Sequence, residues 1–380
     1  MCLQIPGGWL ADRFGGRWFF GGGVLLPSVV AMLTPTAARI HIIAFLLLRI
    51  LAGMFEGPMQ PAIQTLLPHW SQPKYRSALV SITKSSTDFG TFVGMLVGGV
   101  LCEFGSWSSV FYVFGAVGCL WSILWFLFCY SSPSTHPWIS KTERQYWENV
   151  TGTINLAVRP PAPWRQIFTS IPVWALSIAS FAQAWGFFTI QTCIPLFMFD
   201  VLGFSMSKNG IVSSFPFLLL CVLNPMFGFL TDWLRSRRRL STNVVRKTFI
   251  VIGFALSGVC SILLCYTNCN QNLAVLFFCY AVGASALSFP NIVANVHDLA
   301  PLHAGKLVAL TMTAGGLAQI GGPLVVGKVT KQQSTYDEWR IVFFLSAALY
   351  VVGAAAFVTF GSVEHESWAE PQKQPATPKK

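Results

Sequence analysis

Charged side chains are scarce in this chain of 380 residues. Only 10% of the residues are Asp, Glu, Lys or Arg, whereas 53% are apolar, and the mean hydropathy is positive. Soluble domains carry about 25% charged residues. The composition therefore excludes an ordinary soluble protein and indicates a chain that crosses a membrane several times.

The usual motifs of enzymes and metal sites are also missing. The 10 cysteines form no Cys-x-x-Cys pair and no metal-ligand spacing. Most of them lie in apolar segments, where cysteine acts as a small hydrophobic residue. The sequence contains no Ser/His/Asp arrangement and no phosphate-binding loop. We therefore expect no enzymatic activity, no metal and no other cofactor.

Long apolar segments predict an all-α membrane protein, because only helices and closed barrels satisfy their backbone hydrogen bonds in lipid. We expect one partial span followed by ten full ones. The segments are 1–11 (partial), 18–38, 41–69, 77–102, 107–130, 172–199, 207–230, 247–266, 272–299, 303–329 and 339–361.

The net charge of +11 does not indicate nucleic-acid binding, because the basic residues occur in short loops between apolar segments. Most of the 25 Lys and Arg fall in alternate loops, which places those loops in the cytoplasm. This topology predicts an N-terminal helical bundle at 1–130, a cytoplasmic linker at 131–171, a six-helix bundle at 172–361 and a disordered cytoplasmic tail at 362–380.

The segment 42–63 is apolar enough to cross a bilayer but carries two charges, Arg49 and Glu56. Each of its Leu, Ile and Phe residues favours insertion by about 0.5 kcal/mol, and each charge costs about 3 kcal/mol. The two charges are two helical turns apart and share one face, roughly 10 Å from each other along the axis. Intramembrane charges mark functional sites by default. A purely structural ion pair is the alternative.

Two prolines, Pro58 and Pro61, follow Glu56. Each lacks an N–H and frees the carbonyl four residues earlier, here those of Met54 and Gly57. Free carbonyls at membrane depth are tolerated only beside a cavity. This part of the span therefore predicts a substrate or coupling site that faces a cavity.

A short motif occurs twice in similar form. The first copy is Gly8-Trp9-Leu10-Ala11-Asp12-Arg13, and the second is Gly228-Phe229-Leu230-Thr231-Asp232-Trp233. Both copies lie where a span meets the predicted cytoplasmic side. Two related halves are typical of transporters built from parallel repeats. The glycines would permit close helix approach, and the acids would cap a helix or pair with arginine. The predicted cytoplasmic gating motif consists of Gly8, Asp12, Arg13, Arg17, Gly228, Asp232 and Arg235.

Lys84 and Asp88 lie four residues apart within the span 77–102, which is the spacing of an ion pair on a helix. The small residues around them would not shield a lone charge, so we expect the two to pair. The pair is either a gate or only a neutralised couple.

Small residues recur every fourth position on two of the spans, a pattern common where membrane helices pack closely. We predict close packing at both stripes. They consist of Gly90, Gly94 and Gly98, and of Ala314, Ala318 and Gly322.

The loop sequence GGWLADRFGGR resembles the signature of the major facilitator superfamily. RILAGMFEGPMQPA, GSWSSVFYVFG, PWRQIFTSIPVWA, FLTDWLRSRR and DEWRIVFF resemble its anion:cation symporter branch, which includes sialin, the vesicular glutamate and nucleotide transporters and the type I sodium–phosphate cotransporters. The resemblance covers nearly the whole chain. It implies two pseudo-symmetric bundles with twelve spans in total. The sequence begins near the end of the second span, so the first helix and most of the second are expected to be missing from it.

The resemblance also implies roles for single residues. Arg49 and Glu56 match a fourth-helix arginine and glutamate that the family uses for substrate binding or proton coupling. Gln183 falls where vesicular glutamate transporters place an arginine, which argues against glutamate as the substrate. Asn295 and His297 lie in NVHDLAP, where sialin-like members read NHLDIAP. The histidine is thus displaced by about 100° around the helix, and this departure keeps the nucleotide branch open.

These residues predict a secondary active transporter of organic or inorganic anions, coupled to protons or sodium and working by alternating access. A phosphate or nucleotide carrier of the same family is one alternative, and a transport-inactive truncated product is another. The expected partners are a small anionic substrate, the coupling ion and the lipid bilayer, without nucleic acid. The membrane is lysosomal, vesicular or plasma membrane.

Overall fold

A computed structural model describes residues 6–7, 10, 13–66, 70, 76–152, 163–236, 241–267, 270–300, 304–330 and 335–363. Within these residues the chain is almost entirely helical, and 10 helical segments are long and apolar enough to cross a membrane. This confirms the predicted all-α membrane protein with ten full spans.

The chain divides into two units. The first contains Met1–Thr83 and Val97–Ala157, and the second contains Lys84–Leu96 and Val158–Lys380. The predicted boundaries of the bundles, the linker and the tail stay a prediction.

The helices of the first part of the chain are α1 (Gly16–Ile40), α2 (Ile42–Glu56), α3 (Met59–Leu66), α4 (Arg76–Phe104), α5 (Trp107–Phe128) and α6 (Lys141–Gly152). Helix α1 packs against α2, α3 and α5. The linker region also contains a short 3-10 turn, Pro133–Thr135.

The contact between α1 and α5 depends on glycine and on aromatic rings. Gly118 faces Ser28 so closely that a Cβ atom would have no room. Nearer the other end of α1, the ring of Phe20 packs on Trp125 with a centroid distance of 4.8 Å, and Trp125 stacks on Trp121 at 5.2 Å. Because α1 is fixed to α5 in this way, it provides a stable surface for α2.

The helices of the second part are α7 (Trp164–Thr169), α8 (Ile171–Asp200), α9 (Met206–Ser236), α10 (Thr242–Leu264), α11 (Gln271–Leu299), α12 (Ala304–Val329) and α13 (Tyr336–Phe360). Helix α8 packs along α12 and α13, and α10 packs along α11 and α13. Helix α9 packs on α11.

The second unit has an extensive apolar core. Its centre includes Phe197, whose ring lies edge-on to Trp339 and Phe343 at 5.3 and 5.4 Å. The segment Lys84–Leu96 of α4 belongs to this unit, and its Phe92 and Met95 pack against the same core. The second unit therefore holds the part of α4 that carries the predicted ion pair.

The prediction of close helix packing holds for one of the two stripes of small residues and fails for the other. On α12, Ala318 is fully buried, and Gly322 lies so close to Thr189 of α8 that a Cβ would collide with the threonine hydroxyl. The prediction of close packing is confirmed there. At Gly90, Gly94 and Gly98 a Cβ would meet no described atom within 4 Å. Close packing at this stripe is wrong for the described part of the chain, because a small-residue repeat does not by itself supply a neighbour.

Candidate functional site

Arg49 lies on α2, the helix that the sequence identified as carrying charge inside the membrane. Its guanidinium donates a hydrogen bond to Thr34 Oγ1 at 2.8 Å, and Thr34 in turn donates to the carbonyl of Val30 on the same helix, α1. The guanidinium also lies over the rings of Phe111 and Phe45, 4.9 and 5.5 Å from their centroids. A hydroxyl and two aromatic rings therefore orient this cation.

All these partners of Arg49 are electrically neutral. Among the described residues no carboxylate lies within ion-pair distance of its guanidinium, and the ion pairs found there involve other residues. Glu56 lies two turns further along α2, and both side chains are exposed in the structure. The alternative of a tight structural ion pair is wrong for this geometry.

The helix is interrupted directly after Glu56. Helix α2 ends at Glu56, and α3 begins at Met59. The N–H of Gly57 still donates to the carbonyl of Gly53 at 3.2 Å, but Pro58 has no N–H to continue the pattern. The structure thus confirms that the span is interrupted. The interruption lies directly after Glu56.

Gln183 is buried in α8, with 5% of its surface exposed. Ser288 of α11 donates a hydrogen bond to its Oε1 atom. The side chain is therefore occupied by a neutral contact inside the second unit. A glutamine has no net charge to offer a substrate, unlike an arginine at the same place.

Asn295 is 1% exposed on α11, and neither its amide nitrogen nor its amide oxygen has a hydrogen-bond partner among the described residues. Such a buried amide costs free energy unless a ligand or water satisfies it. The backbone of His297 continues α11, but its side chain lies outside the described part of the structure. The two residues are therefore not joined by any described contact.

A buried network that the sequence did not reveal connects α10 with α11. Arg246, 3% exposed, donates through Nε to Asp298 Oδ2 at 3.1 Å and forms an ion pair with the same oxygen. Its Nη1 atom donates to Asn291 Oδ1 at 3.0 Å. Ser288, Asn291, Asn295 and Asp298 are spaced three to four residues apart, so one face of α11 is polar over nearly three turns.

The predicted pair on α4 forms. Lys84 Nζ and Asp88 Oδ1 are 2.5 Å apart, and Asn224 of α9 donates to the other carboxylate oxygen at 2.7 Å. Asp88 is 2% exposed. The pairing is confirmed, whereas a role as a gate stays a prediction. The contribution of Asn224 had no counterpart in the sequence analysis, because it comes from a separate helix.

The repeated motif is described only in part. Gly8 and Asp12 lie outside the described residues, and so does the side chain of Arg235. Arg17 donates a hydrogen bond to the carbonyl of Phe126 in the last turn of α5, and its guanidinium lies 4.2 Å from the ring centroid of Tyr130. Arg17 therefore satisfies a carbonyl at a helix end.

The remaining described members of the motif are Arg13, Gly228 and Asp232. The guanidinium of Arg13 lies over the ring of Phe14. Gly228 and Asp232 lie in the last third of α9, and a Cβ at Gly228 would meet no described atom within 4 Å. The predicted close approach at Gly228 is therefore wrong in this part of the structure. The gating role of the whole motif stays a prediction.

The sequence of this chain is similar to a family of membrane transporters and to individual members of it. The family model of the Major Facilitator Superfamily matches residues 1–245 and 239–380. Vesicular glutamate transporter 1 of Xenopus laevis is 35% identical over 377 residues, which is 98% of this chain and 65% of that protein. Human vesicular glutamate transporter 2 is 34% identical, with 98% of this chain and 64% of that protein covered. The chain thus spans slightly less than two thirds of the length of these relatives.

Solved structures agree on the fold. A bacterial homologue of the human lysosomal transporter Spinster matches with a TM-score of 0.68 at 15% identity, covering 93% of this chain and 84% of that one. A D-xylose–proton symporter matches with a TM-score of 0.69 at 17% identity, covering 94% and 84%. At such low identity the similarity shows the fold alone.

The helical architecture, the ten spans and these matches agree with each other. They confirm an integral multi-pass membrane protein with the major facilitator fold, and its relatives are named as transporters. The chain belongs to the Major Facilitator Superfamily and, within it, to the anion:cation symporter branch that contains the vesicular glutamate transporters.

Proposed function

We propose that this protein is a secondary active transporter of anions, of the sialin-like kind, that moves its substrate across a membrane by alternating access. The observation that carries the proposal is Arg49, an oriented guanidinium in a membrane span whose hydrogen-bond and ring contacts among the described residues are all neutral groups. An ionisable residue inside a membrane span marks a functional site by default, and a guanidinium with no carboxylate in direct contact suits an anion.

In this mechanism Arg49 binds the negative group of the substrate. A guanidinium donates two parallel hydrogen bonds to a carboxylate or a phosphate, which fixes the orientation of the anion as well as its position. Thr34 and Phe111 hold the guanidinium on one side and leave its remaining donors for the substrate.

Glu56 is the proposed coupling acid, with a proton or sodium as the coupling ion. It lies on the same face as Arg49, two turns away, where the helix is interrupted. A carboxylate that gains a proton when the anion arrives keeps the total charge of the cavity constant. This makes the pair of residues suitable for symport.

The nature of the anion is a separate question. The relatives are named as glutamate transporters, whereas Gln183 replaces the arginine that the resemblance implies for that group. Gln183 is buried and already bound by Ser288. We therefore propose an anion that is recognised with one cationic anchor fewer than glutamate is in those relatives.

Uptake by the intact protein in liposomes tests the proposal. We would measure accumulation of labelled L-glutamate, a sialic acid, inorganic phosphate and ATP under a proton gradient, a sodium gradient and no gradient. We expect at least one carboxylate anion to accumulate with one of the gradients and not without it. Accumulation of phosphate or ATP alone would support the phosphate or nucleotide alternative, and no accumulation of any anion would support the inactive one.

A further inference from the structure

The ion pair on α4 is part of a three-residue cluster that also includes Asn224 of α9. Asp88 lies twelve residues into α4, about 18 Å along the helix axis, and both of its carboxylate oxygens are bound, one by Lys84 and one by Asn224. All three residues belong to the second unit. The cluster therefore places a lysine, a carboxylate and an amide in direct contact inside a membrane span.

Lys84 and Asp88 differ in how far a ligand can reach them. The side chain of Lys84 is 31% exposed, whereas that of Asp88 is 3% exposed. The ammonium lies 5.3 Å from the ring centroid of Phe289 and 5.9 Å from that of Phe187. An anion can therefore contact the lysine, and the rings present an apolar wall for its carbon skeleton, while the carboxylate stays covered.

Asn224 can stabilise Asp88 in either protonation state. It now donates from Nδ2 to the carboxylate, and its Oδ1 is buried without a hydrogen-bond partner among the described residues. If Asp88 takes up a proton, its O–H becomes a donor, and a half-turn of the amide presents Oδ1 as the acceptor. The unpartnered oxygen is thus the group that a protonated Asp88 would need.

We propose that Lys84, Asp88 and Asn224 form a second anion site, where binding of a carboxylate anion to Lys84 is linked to uptake of one proton by Asp88. The proposal rests on the proposed function as an anion transporter, and it does not depend on the role of Glu56. The anion replaces the Asp88 carboxylate as the partner of the Lys84 ammonium. The Asp88 carboxylate, once released from Lys84, stays buried. It binds a proton that comes from the same side of the membrane as the anion.

Charge balance makes the two events dependent on each other. The empty site holds one ammonium and one carboxylate, and the loaded site holds the same ammonium, the anion and a neutral carboxylic acid. The net charge is unchanged. Among the described residues, Phe187 on α8, Asn224 on α9 and Phe289 on α11 contact the pair from neighbouring helices. None of these three titrates, so none of them replaces the proton.

Proton uptake on anion binding provides a direct test. The full chain, purified in detergent with Arg49→Ala and Glu56→Gln as background so that the first proposed anion site is removed, is titrated with L-glutamate and with inorganic phosphate in weakly buffered solution containing a pH indicator. We expect about one proton taken up for each glutamate bound and an apparent affinity that changes by about tenfold per pH unit, because the two bindings are linked. Phosphate, which lacks a carbon skeleton, should bind more weakly.

Two variants separate the roles of the acid and the lysine. Asp88→Asn should bind glutamate without proton uptake and with an affinity independent of pH, because Lys84 has no competing carboxylate. Lys84→Gln combined with Asp88→Asn leaves no uncompensated buried charge and should lower the affinity at least tenfold. The matched control is Lys208→Gln, since Lys208 also lies over a phenylalanine ring but is bound by the neutral Gln271. It should behave as the background protein does.

The outcomes distinguish this proposal from the transport function. Unchanged proton uptake in Asp88→Asn, or unchanged affinity in the double variant, would overturn the second site while the transporter assignment stands. If the protein without any substitution neither binds nor accumulates the anions tested, both proposals are overturned together. Loss of proton uptake in Asp88→Asn with anion binding retained would support the second site.

Discussion

The two units treat charge inside the membrane differently. In the second unit two buried pairs join opposite charges, Arg246 with Asp298 and Lys84 with Asp88. In the first unit Arg49 is oriented by a hydroxyl and aromatic rings, and no described carboxylate forms an ion pair with it. A paired charge stabilises the fold or has to be released before it can bind. An unpaired one needs no such release, which is why we propose that the first unit captures the substrate.

The largest expected effect is at the unpaired charge. Arg49→Ala should lower anion uptake by about 30-fold to several thousand-fold, because loss of a charge-assisted contact costs roughly 2–5 kcal/mol. The amount of protein in the membrane should change little, since no described carboxylate is in direct contact with Arg49. Uptake in liposomes, normalised to the reconstituted protein, measures this.

Two further substitutions sharpen the test of Arg49. Arg49→Lys should restore little activity, because an ammonium cannot reproduce the two parallel hydrogen bonds of a guanidinium. Arg39→Gln, at the end of α1, serves as the control and should transport normally. Full uptake by Arg49→Ala would make Arg49 a structural residue and remove the difference between the two units.

The paired charge of the second unit should show the opposite behaviour. Arg246→Met leaves Asp298 without its cation and should destabilise the protein by about 3 kcal/mol, the lower end of the range for broken buried pairs, because Asp298 is 22% exposed. Thermal unfolding in detergent measures it. Arg246→Met combined with Asp298→Asn should recover most of the stability. A double variant as unstable as the single one would show that the ion pair is not the cause.

Glu56→Gln should have a more selective effect. Uptake driven by an imposed proton gradient should fall to the level seen without a gradient, while exchange of labelled for unlabelled anion continues, because the substrate anchor is intact. The two rates are compared in the same liposomes. A variant that still accumulates anion in response to the gradient would move the coupling role to another acid, and Asp88 is the next candidate.

Local patterns in the sequence were sufficient for much of this picture. The ten spans follow from apolar length, and the Lys84–Asp88 pair follows from a spacing of four residues on one helix. The interruption after Glu56 follows from Pro58. Each of these features depends on residues close together in the chain, which is why the sequence alone predicted them.

Features that depend on contact between distant segments were missed. The predicted span 247–266 begins one residue after Arg246, so the sequence predicts a loop position for this arginine. In the structure it lies inside α10 and meets Asp298, 52 positions away. Asn224 lies in an apolar span with no spacing that relates it to Asp88. Such partners are decided by which helix faces pack together, and this information is not contained in any short segment.

The two stripes of small residues allow the finest comparison, because they share a pattern and differ only in their surroundings. A methyl group at Gly322 would collide with the hydroxyl of Thr189. It would also lie 3.5 Å from the Cβ atom and 3.7 Å from the Cα atom of Thr189. The hydroxyl sits on a buried part of α8 and cannot simply turn into solvent. A methyl group at Gly94 would meet no described atom within 4 Å.

Gly322→Ala should therefore destabilise the protein by about 1–3 kcal/mol, as expected for overpacking. Gly94→Ala should be neutral or stabilising by up to about 1 kcal/mol, because alanine favours the helix over glycine when space is available. Thermal unfolding of both variants in the same detergent gives the comparison, with each serving as the control for the other. Equal destabilisation by the two substitutions would mean that the Gly90–Gly94–Gly98 stripe has a packing partner after all, and that both stripes hold helices together.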